Sequence, residues 1–202
     1  MRARLSGLIV ALFLFSGAEA SAQVPWESPL LVGPRSPGGL SVLMADPGAG
    51  LGVLAHWHGR AQGTRLGLRF GLAEAPGDDL AVFGGADLSG PLHSRDQAFP
   101  LDVVWVTGFG MGAGDHALIS IPFGISLGRG FAAEDAWIHP YVSPRLVVDA
   151  FLGDDRRDDM DLGLVVDLGL DLSFARGWGI RFGASLGDRD GIAVGLAFPG
   201  RS

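Results

Sequence analysis

The side chains that could do chemistry in this chain are charged residues placed at every second position. Asp167 and Asp171 alternate with leucine and valine, and Arg145 and Arg181 have the same placement in the flanking segments. Opposite charges in this pattern either pair within a closed interior or line a constriction that selects solutes. We predict an interior charge network and assign no catalytic, cofactor-binding or metal-binding residue. The network comprises Arg69, Arg145, Arg181, Asp149, Asp161, Asp167 and Asp171.

Two other patterns resemble catalytic motifs. Ser126 and Ser185 both lie in G-x-S-x-G sequences, a motif that acts on a strained turn between a strand and a helix. Here the motif falls within alternating segments that predict strands, so hydrogen bonding explains the serines. A second group of polar residues is compatible with an alternative function, that of a lipid-modifying or hydrolytic barrel enzyme. It consists of His56, His58, His139, Tyr141 and Ser143.

The composition excludes several classes of protein. The 202 residues include 33 glycines and no cysteine, and the formal net charge is −7. The lack of cysteine excludes a disulfide framework, a thiolate metal site and a lipoprotein anchor. An acidic chain without basic clusters argues against a nucleic-acid partner.

The N-terminus has the pattern of an export signal. Arg2 and Arg4 precede an apolar stretch over residues 8–15, which is shorter than the ~20 residues that a membrane-spanning helix needs. We predict a signal peptide over residues 1–22, cleaved after Ala20 or Ala22. Four prolines between residues 23 and 38 then predict an extended lead-in to the folded domain.

From residue 39 onward the hydrophobic period is 2, which predicts strands. Residues 160–174 show it most clearly, because leucine, valine, methionine and phenylalanine occupy every even position. We predict a barrel over residues 39–198 with ten strands, and eight is the main alternative. The predicted strands are 39–46, 49–58, 64–74, 79–88, 101–113, 116–128, 136–150, 160–174, 177–187 and 190–198.

The bulky apolar side chains belong on the outside of this barrel. One face of each strand carries large apolar residues and the other carries glycine, alanine and serine, and an outer circumference has more room. Aromatic residues at strand ends predict a girdle at one membrane interface, with both chain termini on the periplasmic side. The girdle residues are Trp57, Phe99, Trp137, Phe174, Trp178 and Phe198.

Two segments resemble small outer-membrane barrel proteins of the OmpA/OmpX-like family. They are residues 137–149, around Pro140-Tyr141-Val142, and residues 191–198, which are similar to the terminal strand of such barrels and are followed by a tail over 199–202. The resemblance implies an all-β, closed, antiparallel, up-and-down transmembrane barrel in the outer membrane. It also implies outer-membrane lipid and the barrel-assembly machinery as partners.

We therefore expect a non-enzymatic outer-membrane barrel of structural or interaction type, without a cofactor. Such a barrel could also form a narrow pore, since many interior positions lack side chains. The alternatives are the barrel enzyme and a soluble periplasmic barrel that binds an apolar ligand.

Overall fold

The computed structural model describes residues 24–48, 50–61, 63–75, 79–113, 117–152, 160–198 and 200. The predicted signal peptide and three of the four tail residues lie outside these ranges. No helix in the described part of the chain is long and apolar enough to cross a membrane.

The described chain is built from strands. The period-2 segments form ten strands, and one two-residue strand is added in a connection. In chain order they are β1 (Gly39–Asp46), β2 (Gly52–Ala61), β3 (Thr64–Ala75), β4 (Asp79–His93), β5 (Asp102–Ala113), β6 (Ala117–Gly128), β7 (Phe131–Ala132), β8 (Ala136–Leu152), β9 (Met160–Phe174), β10 (Trp178–Gly187) and β11 (Gly191–Phe198).

These strands close into a barrel. Each long strand pairs antiparallel with its sequence neighbour, β6 pairs with β8 across the short β7, and β1 pairs with β11. The closed, antiparallel, up-and-down fold with ten barrel strands is therefore confirmed, and the eight-strand alternative is wrong. The largest boundary difference is in β4, which extends five residues beyond the predicted Leu88 through a register shift between Pro91 and His93.

The exterior of the barrel is apolar, whereas the interior combines buried charged side chains with a cluster of buried apolar ones that includes Leu43, Leu54 and Phe83. Leu168 is 44% exposed, for example, whereas its neighbour Asp167 is buried. Among the strand residues with described side chains, the only charged ones at outward positions are Asp46 and Glu74. This is the reverse of a soluble barrel, whose exterior must be solvated.

The two ends of the barrel differ in what they carry. We call the end where β1 begins and β11 ends the near rim, and the opposite end, which carries the β1–β2, β5–β6 and β10–β11 connections, the far rim. Asp46 and Glu74 both lie at the far rim. The near rim carries the connections over residues 94–101 and 129–135.

Candidate functional site

The lumen of the barrel is occupied by the chain's own N-terminal residues. Residues 24–36, called the luminal segment from here on, form no strand and pass through the interior. Val24 lies against Gly112 close to the far rim, and Arg35 pairs with Asp102 at the near rim. The described part of the lead-in predicted over residues 23–38 thus crosses the barrel from one end to the other before β1 begins.

Four arginines of the wall hold the main chain of this segment. Their guanidinium groups donate to six of its carbonyl oxygens, which an irregular segment cannot satisfy by itself. The bonds are Arg145 to Glu27, Arg69 to Pro29 and Leu30, Arg181 to Leu31, and Arg65 to Gly33 and Ser36. The wall therefore recognises an extended backbone from three sides, since these arginines lie on β3, β8 and β10.

Two of these arginines, Arg145 and Arg181, are neutralised by aspartates on the neighbouring strand β9. Arg145 Nε lies 2.7 Å from Asp167 Oδ2, and Arg181 Nε lies 2.8 Å from Asp171 Oδ1. Ser185 and Ser36 donate to the remaining carboxylate oxygens at 2.6 Å each. All these groups are buried. Buried charges persist only when paired and hydrogen-bonded in this way.

A second group of ion pairs surrounds Glu27, whose carboxylate is the one that the luminal segment places deep in the lumen. Glu27 is 0% exposed, and its Oε1 lies 3.5 Å from Arg145 Nη1 and 3.3 Å from Arg189 Nε. Arg189 also contacts Asp149, whose other oxygen accepts a hydrogen bond of 2.7 Å from Ser120. Glu27 thus joins two wall arginines that already have wall partners.

A third group surrounds Asp87 on β4. Its carboxylate lies 3.2 Å from His56 Nε2, 3.5 Å from His58 Nε2 and 3.5 Å from Arg69 Nη2. The two histidines and Asp87 place possible metal ligand atoms within 4.8 Å of one another. The buried Arg69 guanidinium already holds this carboxylate, however, and the His56 Nδ1 lacks the acceptor that orients a ligating histidine. The group is therefore better suited to supporting the luminal segment than to holding a cation.

Apolar side chains of the luminal segment fill space that wall glycines leave free. Trp26 is 1% exposed and donates from Nε1 to the Ser120 carbonyl at 3.0 Å. A Cβ at Gly110 would lie 2.5 Å from the Trp26 ring, and one at Gly108 would lie 2.8 Å from it. Leu31 occupies the corresponding space beside Gly183. Each large apolar side chain buried from water contributes about 1.5–3 kcal/mol.

The near rim retains an open cavity of about 460 Å³. Trp137 and His139 line it with nearly parallel rings whose centroids are 6.2 Å apart, and Arg35 and Asp102 line it from the segment and β5. Trp137, which the sequence grouped with the girdle, therefore lies at the mouth of the lumen.

The other aromatic residues of the predicted girdle lie around the near rim. Trp57 and Phe198 are both paired in register with Leu40 at the start of β1, and Phe174 contacts Trp178 with ring centroids 4.3 Å apart. These four side chains point outward.

Phe99 lies in the connection over residues 94–101. The amide N–H groups of Phe99 and Ala98 donate to Asp96 Oδ1, at 2.8 and 2.9 Å. These bonds, first of all the one from Phe99, hold the pKa of Asp96 below its usual value. The turn fixes Phe99 beside His93, with ring centroids 5.4 Å apart.

Two predictions about interior residues have a different outcome: Asp161 lies outside the ion-pair network, and Ser143 does not donate to His139. Asp161 lies exposed near the far rim, where it accepts from the Leu162 amide, and no arginine among the described residues pairs with it. Ser143 donates to Ser126 at 2.7 Å and not to His139. The polar set that left an enzyme open therefore contains no serine–histidine pair in the described structure.

Several residues of the site were not predicted from the sequence. Asp87, Glu27 and Arg189 complete the ion pairs and Ser36 donates to Asp171, but Glu27 and Ser36 lie in the proline-rich segment and Arg189 lies in a turn. The signal that could have revealed the segment is Trp26 with Leu30-Leu31-Val32, an apolar group that a solvated lead-in would not need.

Comparison with known proteins gives no assignment. No protein-family model matches the chain, and no curated protein matches it.

Proposed function

We propose that this chain is an outer-membrane β-barrel of structural or interaction type that is closed at rest by its own N-terminal segment. One observation carries the proposal: the closed barrel has an apolar exterior on which the only charged side chains among the described strand residues lie at the far rim, around an interior that contains paired charges. In water this exterior would be an exposed apolar surface far larger than monomers tolerate. In a bilayer it is the expected lipid face.

The residues of the near rim support the same assignment. Trp57, Phe174, Trp178 and Phe198 lie along one side of the near rim, on β2, β9, β10 and β11, where indole and phenyl rings favour the interface between lipid and water. The OmpA/OmpX-like resemblance, the predicted signal peptide and partnership with the assembly machinery belong to this proposal. We place both chain ends of the barrel domain on the periplasmic side.

The proposal is tested by expressing the full precursor in a Gram-negative host and separating the envelope fractions. We expect the mature chain in the outer membrane, with gel mobility that changes on boiling because a closed barrel resists detergent until heated. Recovery in the soluble periplasmic fraction would contradict the proposal and favour the soluble barrel. In planar bilayers the intact protein should conduct little current, because residues 24–36 fill the lumen.

A further inference from the structure

The wall of the barrel has its own charge partners, independent of the luminal segment. Each wall arginine that contacts Glu27 or donates to the carbonyls of residues 27–31 also pairs with an aspartate of the wall. The pairs are Arg69–Asp87, Arg145–Asp167, Arg181–Asp171 and Arg189–Asp149. Removal of the segment therefore leaves none of these four arginines, three of them buried, without a counter-charge, which is the condition for the empty wall to stay folded.

The hydrogen bonds that hold the segment are ones that water can replace. The four carbonyl-binding arginines donate to its main chain, and a solvated guanidinium finds equivalent acceptors in water. Only Glu27 adds a charge deep in the lumen, and both of its partners keep an aspartate. What binds the segment in place is therefore the packing of the Trp26 and Leu31 side chains against glycines of the wall.

The glycines of the inner wall determine how much free space the lumen has once the segment is removed. Gly85, Gly108 and Gly110 face Trp26 and Gly183 faces Leu31, so the wall provides no side chain at these positions. A barrel of eight strands is just filled by its own side chains, and ten strands with glycine on the inner face enclose more space. The vacated lumen is therefore a passage lined by serines and paired charges and, toward the far rim, also by apolar wall side chains such as Leu43, Leu54 and Phe83.

We propose that residues 24–33 of the luminal segment are a detachable plug, and that the wall alone forms a passage for small hydrophilic solutes. Because arginines and aspartates alternate around the lumen, the passage discriminates weakly between anions and cations. Zwitterionic or neutral polar solutes fit this lining best. This inference rests on the proposed membrane location and goes beyond it, since it assigns the barrel a transport activity.

The test compares the intact protein with a variant that lacks residues 24–33, both purified from the outer membrane and placed in planar bilayers. We expect the variant to remain heat-modifiable and its single-channel current to rise at least about tenfold over the intact protein. A peptide of residues 24–33 added to the variant should close it again. The same peptide with Trp26→Gly and Leu31→Gly is the matched control and should not.

A reversible crosslink tests release in the intact chain. Because the native sequence has no cysteine, S28C with G191C introduces one defined pair, and a Cβ at Gly191 would lie 2.5 Å from Ser28 Oγ. We expect occasional openings in the reduced double variant and none when it is oxidised. The S28C single variant is the control and should not respond to oxidant.

Each failure has a separate meaning. A deletion variant that folds but stays silent would show that the wall closes by itself, and one that cannot fold would show that the segment is an integral core; either result overturns the inference. Neither result concerns the membrane location, which is judged by fractionation of the intact protein. If the intact protein is soluble, the proposed function fails first.

Discussion

Arg145 Nε lies 2.7 Å from Asp167 Oδ2 on the adjacent strand, inside a barrel whose outer face is apolar. The same guanidinium donates to the main-chain carbonyl of Glu27 at 3.2 Å. One side chain therefore links two wall strands to the segment that fills the lumen. The fold thus places its charges where a soluble protein has its apolar core.

Loss of this arginine should destabilise the folded protein strongly. Arg145→Gln leaves Asp167 and Glu27 buried beside a neutral group, and breaking a buried pair costs about 3–5 kcal/mol. Urea unfolding in lipid vesicles measures the change. Arg176→Gln, in the exposed turn between β9 and β10, is the control, and equal midpoints for the two variants would argue against the interior network.

A charge on the outer face should cost more near the middle of a strand than at its end. Leu168 lies near the middle of β9 and Met160 begins it, 75% exposed at the far rim. In a bilayer, Leu168→Arg should cost about 2–4 kcal/mol and Met160→Arg about 0–1 kcal/mol. Vesicle unfolding of the two variants gives the comparison. In a barrel surrounded by water, neither substitution would lower the free energy of unfolding much. Unchanged stability in both variants would therefore contradict the lipid-facing assignment.

A methyl group at Gly183 should compete with the luminal segment for space. A Cβ there would collide with the Leu31 side chain, and Gly183→Ala should destabilise the protein by about 1–3 kcal/mol through overpacking. Adding Leu31→Ala restores the room, so the double variant should lose less stability than the sum of the single variants. Gly38→Ala is the control, since its Cβ would make an ordinary contact of 3.6 Å. Strict additivity would mean that Leu31 does not pack there.

With the signal peptide removed as we propose, the path of the luminal segment predicts where the new N-terminus emerges. Val24 lies near the far rim, opposite the rim where β1 begins. With the near rim in the periplasm, an epitope inserted before Val24 should be labelled by antibody on intact cells. An epitope after Phe198 should be labelled only after the outer membrane is opened. The reverse pattern would invert the proposed orientation.

The fold was predictable because alternation is a local property of each strand. Residues 160–174 carry their register in the sequence, and the proximity of Arg145 and Arg181 to the aspartates of β9 follows once neighbouring strands pair antiparallel. Asp87 was harder to place, since the glycines of β4 weaken its alternation and a register shift extends the strand to His93.

The path of the luminal segment was not predictable from any local pattern. Its prolines indicate only that residues 24–38 form neither a helix nor an inner strand. Its course depends on long-range contacts, such as Arg181 with the Leu31 carbonyl across 150 positions. Leu31 itself adopts a φ of 55°, which a leucine rarely adopts. That backbone is held by the surrounding wall, and the sequence of the segment alone would not favour it.

The most direct test of the central claim is quenching of tryptophan fluorescence by brominated lipids, in variants that keep one tryptophan and replace the others with phenylalanine. Trp105 is at an outward position of β5 and Trp26 is buried in the lumen. We predict strong quenching for the variant that keeps Trp105 and almost none for the variant that keeps Trp26. An unquenched Trp105, or a Trp26 quenched to the same degree, would contradict a lipid-embedded barrel closed by its own N-terminal segment.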